Sequence, residues 1–140
     1  MTSYLLDVSA LVALGFQEHQ FYEQVAAWVQ TLTAHDEEFA TTPITELGFV
    51  RVLTQLPEYG FSVAEAKLAL LRLKSSGRVR FVFLADDHDA SRLPGWVKTP
   101  KQTTDGHLLQ LAKTKDAVLA TLDRGIPGAF FIPRGTKHPG

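Results

Sequence analysis

In Tyr4-Leu5-Leu6-Asp7-Val8-Ser9-Ala10-Leu11-Val12-Ala13-Leu14 a short apolar run ends on a carboxylate, and a helical pattern begins directly afterwards. Nearly continuous hydrophobicity before Asp7 marks a central parallel strand covered on both faces, because a half-exposed antiparallel strand would alternate instead. Ala10, Leu11 and Leu14 recur at helical spacing, and Ser9 is read as the helix N-cap, its hydroxyl satisfying a free backbone N–H. The stretch therefore delivers Asp7 to a strand-to-helix turn.

Working outward, Phe21, Val25, Trp28, Val29 and Leu32 outline a second, amphipathic helix, and Phe39-Ala40-Thr41 a brief strand. Thr42-Pro43 then opens a helix with a capping residue followed by proline at the first helical position. Glu46 falls near its first turn, and Leu47, Val50 and Leu53 are read as its buried stripe. Ser62-Val63-Ala64-Glu65 is a capping box that starts a helix running to about Lys74 and stopped near Gly77. Val79 to Leu84 reads as a strand. An irregular stretch through Asp86, Pro94 and Pro100 follows, long enough to suggest a functional loop. A helix resumes near Thr103-Thr104-Asp105, and Ala117 to Leu122 is a strand ending on Asp123. Phe130-Phe131-Ile132 is read as a last strand.

Strands alternating with helices imply an α/β domain: three layers, α/β/α, around a mostly parallel sheet of about five strands spanning residues 1–133. Residues 134–140, with two glycines and Pro139, are expected to form a flexible tail. In a parallel sheet the carboxyl ends of the strands share one edge, where ligands bind.

The 140 residues, 45% of them hydrophobic, suffice for one domain. A net charge of −1 provides no global cationic field for a nucleic acid, so any such binding requires a local patch. The absence of cysteine excludes disulfides, thiolate nucleophiles and cysteine-ligated zinc. No signal-peptide pattern opens the sequence, and no run approaches the ~20 apolar residues of a membrane span. The expectation is a soluble, cytoplasmic protein without membrane contact.

Asp7 and Asp123 each follow an apolar strand, while Glu46 and Asp105 sit near helix starts, so all four are expected at the same edge. Each has a plain structural role as a turn, capping or helix-dipole residue, the last worth ~0.3 to 1 kcal/mol. Together, however, converging carboxylates raise one another's pKa unless a cation neutralises them. Oxygen ligands select a hard ion, Mg²⁺ or Mn²⁺, which suits metal-assisted phosphodiester hydrolysis.

The segments Leu5 to Leu14, Thr45-Glu46-Leu47-Gly48-Phe49-Val50-Arg51-Val52-Leu53, Thr104-Asp105-Gly106-His107-Leu108-Leu109-Gln110-Leu111-Ala112 and Leu119-Ala120-Thr121-Leu122-Asp123-Arg124-Gly125 resemble the four acid-bearing segments of PIN-domain ribonucleases, most closely VapC toxins of type II toxin-antitoxin systems. The likeness covers most of the chain in the family's order. It implies that Asp7, Glu46, Asp105 and Asp123 are the metal-binding acids of an Mg²⁺- or Mn²⁺-dependent endoribonuclease toxin. It also implies an RNA substrate, inhibition by a cognate VapB antitoxin and at least a homodimer. Ser9 departs from the asparagine of many members but retains a capping hydroxyl that can orient Asp7. Thr121 is a candidate supporting residue, with a satisfied strand hydroxyl as its ordinary role.

Arg51, Lys98, Lys101, His107 and Arg124 are candidate contacts to RNA phosphates, with ordinary surface charge as the competing account of each. His107 is expected on a helix surface. Trp28, Phe21 and Phe49 are read as core or dimer interface rather than stacking platforms, and Asp86, Asp87 and Asp89 around His88 as solvated acids. Two other functions fit the pattern. A receiver-like signalling domain would accept phosphate on a strand-end aspartate, but no obvious lysine ends the last strand. A noncatalytic interaction module would retain the fold, although acids in all four segments argue against degeneration.

Overall fold

The computed structural model describes residues 1–135, and the expected tail lies largely outside them, at 136–140. In chain order the elements are β1 (Thr2–Leu6), α1 (Val8–Gly15), α2 (Tyr22–Gln30), β2 (Glu37–Thr41), α3 (Pro43–Gln55), α4 (Val63–Ser76), β3 (Phe81–Phe83), α5 (Thr103–Thr114), β4 (Val118–Thr121) and β5 (Phe130–Phe131). Two short 3₁₀ turns, Ala90–Arg92 and Pro100–Gln102, punctuate the long connection before α5. The five strands are all parallel, in the order β3-β2-β1-β4-β5.

Alternation along each strand explains the continuous apolar runs. Leu6, Phe39 and Ala120 enter one core with Leu11, Val25, Trp28, Phe49 and Leu53, whereas Leu5, Ala40 and Leu119 enter a second with Leu108, Leu109 and Ala112 of α5. Successive strand residues point to opposite faces, so a sheet covered on both sides needs apolar residues at every position. The two cores are the two helix–sheet interfaces of the three-layer fold.

The expected stripe of α3 holds at Leu53, which is buried, and in part at Val50, which packs against the core, but fails at Leu47. Thr45, Gly48, Phe49 and Leu53 are the buried residues, and Leu47 is 64% exposed. Small residues hold that face because α3 lies directly against α1: a Cβ on Gly48 would come within 2.5 Å of Val8 Cγ2. The capping predictions for α3 and α4 match the structure, with capping boxes at Thr42/Thr45 and Ser62/Glu65 and Gly77 as the α4 C-cap. No helix among the described residues is long and apolar enough to cross a membrane.

Candidate active site

From β1 the chain winds outward through β2 to β3, then returns across the sheet to β4. The crevice outside the carboxyl ends of β1 and β4 is therefore the topological switch point, where open parallel sheets bind ligands. Asp7 occupies it. Its backbone N–H extends the ladder to the Ala120 carbonyl (3.1 Å), and its extended φ/ψ makes it the N-cap of α1. Asp7 Oδ1 accepts the Ala10 N–H at 2.8 Å, and Oδ2 accepts the Thr121 hydroxyl at 2.5 Å. Ser9, expected to cap, is instead an exposed first-turn residue: the ladder continues one residue beyond the apolar run, so the acid itself reaches the capping position. Thr121 Oγ1 also accepts the Asp123 N–H at 2.9 Å, linking Asp7 to the turn after β4.

Asp105 lies in the first turn of α5 and is partly buried. Its neighbour Gly106 seats that helix end closely on the preceding loop, where a Cβ would fall 2.3 Å from Val97 Cγ2. Asp123 is exposed, its Oδ1 accepting the Gly125 N–H at 2.8 Å in an Asx turn. Burial pushes the Asp7 carboxyl up to about 6 against the lowering effect of its hydrogen bonds to Thr121 and Ala10, and the charges of Asp105 and Asp123 push it further. Asp105 is also raised, first by burial and then by Asp123. These three acids form one repulsive group graded from buried (Asp7, 4% exposed) through intermediate (Asp105) to exposed (Asp123).

Glu46 stands apart from them. Held in the first turn of α3, its Oε2 accepts both the Thr41 hydroxyl and the Lys74 ammonium, each at 2.6 Å. Lys74 also lies 5.7 Å from the centre of the Phe83 ring. The structure thus corrects the expectation of four mutually repelling acids: three are uncompensated and one is ion-paired. No local pattern in the sequence marks Lys74, although the two caps define a helical hairpin that places the last turn of α4 beside the first turn of α3.

Among the described residues, no three or more His, Cys, Asp or Glu side chains are arranged to hold one metal ion in common. The donor set nevertheless fits a hard divalent cation. Magnesium retains several waters and uses one or two carboxylates rather than an all-protein cage, and the raised pKa of buried Asp7 is the strain that positive charge would relieve. A larger hollow of about 970 Å³, between the end of α1 and α4, is lined by none of these acids, so size does not mark the site.

Of the candidate RNA contacts, Arg51, Lys98, Lys101 and Arg124 are exposed, with the Arg124 guanidinium 4.5 Å from the centre of the Phe131 ring. His107 is drawn inward, contrary to the surface position expected: its Nε2 meets Asp86 Oδ2 at 2.5 Å, with only 14% and 9% of the two side chains exposed. Asp86 is therefore not a solvated acid. Its burial raises the pKa, but the bonds from His107 and the His88 N–H outweigh this and leave it lowered. Asp89 caps the Ala90–Arg92 turn through the Ser91 N–H. Trp28 and Phe49 are buried as expected, whereas Phe21 is 41% exposed and outside the core.

A parallel sheet in this order, with a buried aspartate at its switch point and further acids along the same edge, defines a domain of the PIN class. No protein-family model matches the chain. It is 39% identical over 130 residues to ribonuclease VapC38 of Mycobacterium tuberculosis, covering 87% of this chain and 86% of that protein. The crystal structure of M. tuberculosis VapC20, a sarcin-ricin loop cleaving toxin, superposes with a TM-score of 0.64 at 13% identity, covering 94% of this chain and 99% of that one. VapBC2 from Rickettsia felis, crystallised on a DNA fragment from its promoter, gives a TM-score of 0.61 at 14% identity over 92% of this chain and 96% of that one. The chain belongs to the VapC family of PIN-domain ribonucleases.

Proposed function

We propose that this protein is a metal-dependent endoribonuclease toxin that hydrolyses RNA phosphodiester bonds at the β1–β4 crevice. The observation that carries the reading is Asp7: a carboxylate 4% exposed, without a cationic partner among the described residues, facing two further acids in a chain 39% identical to a ribonuclease. Asp7, Asp105 and Asp123 would hold Mg²⁺ or Mn²⁺, with Glu46 contributing from the far side. When bound, such an ion supplies the positive charge that offsets the carboxylates and polarises a phosphoryl oxygen.

The chain's own residues prepare this site. Thr121 and the Ala10 N–H fix both oxygens of Asp7, so its orientation is set before any ligand arrives. Thr121 and the Asx turn hold the backbone around Asp123. Gly106 seats the first turn of α5 against the Pro94–Val97 loop, keeping Asp105 at the crevice. Arg51, Lys98, Lys101 and Arg124 are exposed cations that could meet the RNA backbone, while the His107 ring meets Asp86 instead. A cognate VapB-type antitoxin, supported by the VapBC2 assembly named for the R. felis neighbour, and a homodimer complete the reading.

The test is cleavage of end-labelled RNA by the intact protein with Mg²⁺ or Mn²⁺, with a chelator, and by Asp105→Asn. Cleavage should require the ion and collapse in the variant. Equal activity in all three conditions would sink the proposal.

A further inference from the structure

Two adjoining hollows, of about 290 and 270 Å³, share Phe21, Leu122 and Asp123 in their walls. The first is completed by Ser9, His19 and Gln20, and the second includes Arg124, Phe131 and Arg134. Each lies at the low end of the size range of small-ligand pockets, room for a single compact group rather than a helix. Asp123 places both beside the acid edge.

The walls combine two kinds of group. Phe21 exposes 41% of its surface in the turn before α2, and its ring lies 5.8 Å from that of His19 at a tilt of 43°. The Phe21 N–H donates to His19 Nδ1 at 3.0 Å, which leaves the proton of a neutral imidazole on Nε2, a free donor beside the aromatic face. Burial lowers the His19 pKa and favours that neutral form. Opposite, Arg124 lies over the Phe131 ring, with Arg134 lining the same hollow. Aromatic faces alternating with guanidinium groups are the chemistry that holds single-stranded nucleic acid, where bases stack and cations follow the backbone.

We infer that this cleft is a nucleotide subsite, in which one base of single-stranded RNA next to the scissile phosphate stacks on Phe21 while Arg124 and Arg134 take the adjoining phosphate. The inference rests on the ribonuclease reading above and adds the residues that select the RNA. It also changes the meaning of Phe21, whose helical spacing suggested core or dimer interface.

The test is fluorescence anisotropy of a short labelled single-stranded RNA, and of a matching strand without bases, on the full chain carrying Asp105→Asn. Phe21→Ala and Phe21→Leu should each weaken binding to the RNA by about 5- to 150-fold, the range for one lost base stack. Phe21→Trp should restore it, and the baseless strand should not distinguish these variants. Arg124→Gln should reduce the slope of log affinity against log salt by about 0.7. Leucine retains most of the side-chain bulk, so loss in both Phe21→Ala and Phe21→Leu with unchanged circular dichroism excludes misfolding. Full affinity in Phe21→Leu, equal loss on the baseless strand, or a change in sedimentation with RNA binding intact would overturn the subsite, the last identifying a protein interface. If the unmodified chain cleaves RNA while the Phe21 variants bind normally, only the subsite falls; if it neither cleaves nor binds RNA, the ribonuclease reading falls with it.

Discussion

The two ends of the acid edge meet the same electrostatic problem with different chemistry. At the β1–β4 crevice Asp7 has, among the described residues, only neutral donors, Thr121 and the Ala10 N–H, and its charged neighbours are acids. At the end of β2, Glu46 meets Lys74 at 2.6 Å and receives the Thr41 hydroxyl on the same oxygen. One end is ion-paired within the chain, whereas the other keeps its acids together with neutral donors alone among the described residues. The difference confines the unrelieved repulsion to three acids, and it predicts opposite responses to the same kind of substitution.

The largest effect is expected at Asp7. Asp7→Asn should reduce RNA cleavage by about a thousandfold, the scale of several kcal/mol of lost charge stabilisation. The same variant should make the metal-free protein more stable at pH 7, by up to roughly 3 kcal/mol, because asparagine caps α1 as well as aspartate and removes the buried charge. Glu46→Gln should also impair cleavage but lower stability, since it leaves Lys74 without its partner. Melting curves in chelator distinguish the two, and a loss of stability in both variants would erase the contrast.

The pH dependence follows from the sign of the Asp7 shift. Its pKa is raised in the folded state to about 6, so the fold favours the protonated acid. The stability this contributes is fully present below the unfolded pKa, near 4, and is lost as pH rises through 6. Asp86 and Glu38, whose pKa values are lowered, slope the other way at more acidic pH. The informative measurement is therefore the stability difference between the parent and Asp7→Asn without metal. It should grow from pH 4 to pH 7 and shrink when Mn²⁺ is added; a flat difference would mean that Asp7 is not strained.

A smaller effect is expected from the hydroxyl that orients Asp7. Thr121→Val preserves shape but leaves Asp7 Oδ2 without its donor, at a cost of roughly 1 to 3 kcal/mol at neutral pH. The loss should diminish towards pH 4, where a protonated carboxyl tolerates the missing bond better. A loss independent of pH would assign the role of Thr121 to packing and to its bond from the Asp123 N–H rather than to Asp7.

How much of this was legible in the sequence depends on the range of each interaction. Asp7 at the end of a buried strand, the caps at Thr42 and Ser62, and the parallel order of elements are written within a few neighbouring residues. Ser9 was misread because two good capping residues stand two positions apart, and only the ladder bond to Ala120 selects Asp7. Leu47 was misread because the true inner stripe of α3 uses Thr45 and Gly48, residues chosen for closeness to α1 rather than hydrophobicity. The Asp86–His107 and Glu46–Lys74 pairs join residues 21 and 28 apart, and no periodicity reports contacts made by a folded loop or a helical hairpin.

Lys74→Met gives the smallest change in stability and the most direct probe of the contrast. The pair is about a quarter exposed on each side, so its removal should alter stability by less than about 1 kcal/mol, with Glu46 keeping the Thr41 bond. Electrostatically the change is larger: Glu46 joins the uncompensated acids, and a divalent ion no longer competes with an ammonium for Oε2. Mn²⁺ affinity measured by calorimetry on the intact protein should rise, by up to about tenfold for 1.4 kcal/mol. An unchanged affinity would place Glu46 outside the ion's environment and make the β2 end purely structural. A weakened affinity would mean that Lys74 supports the site by fixing Glu46 rather than by withholding it.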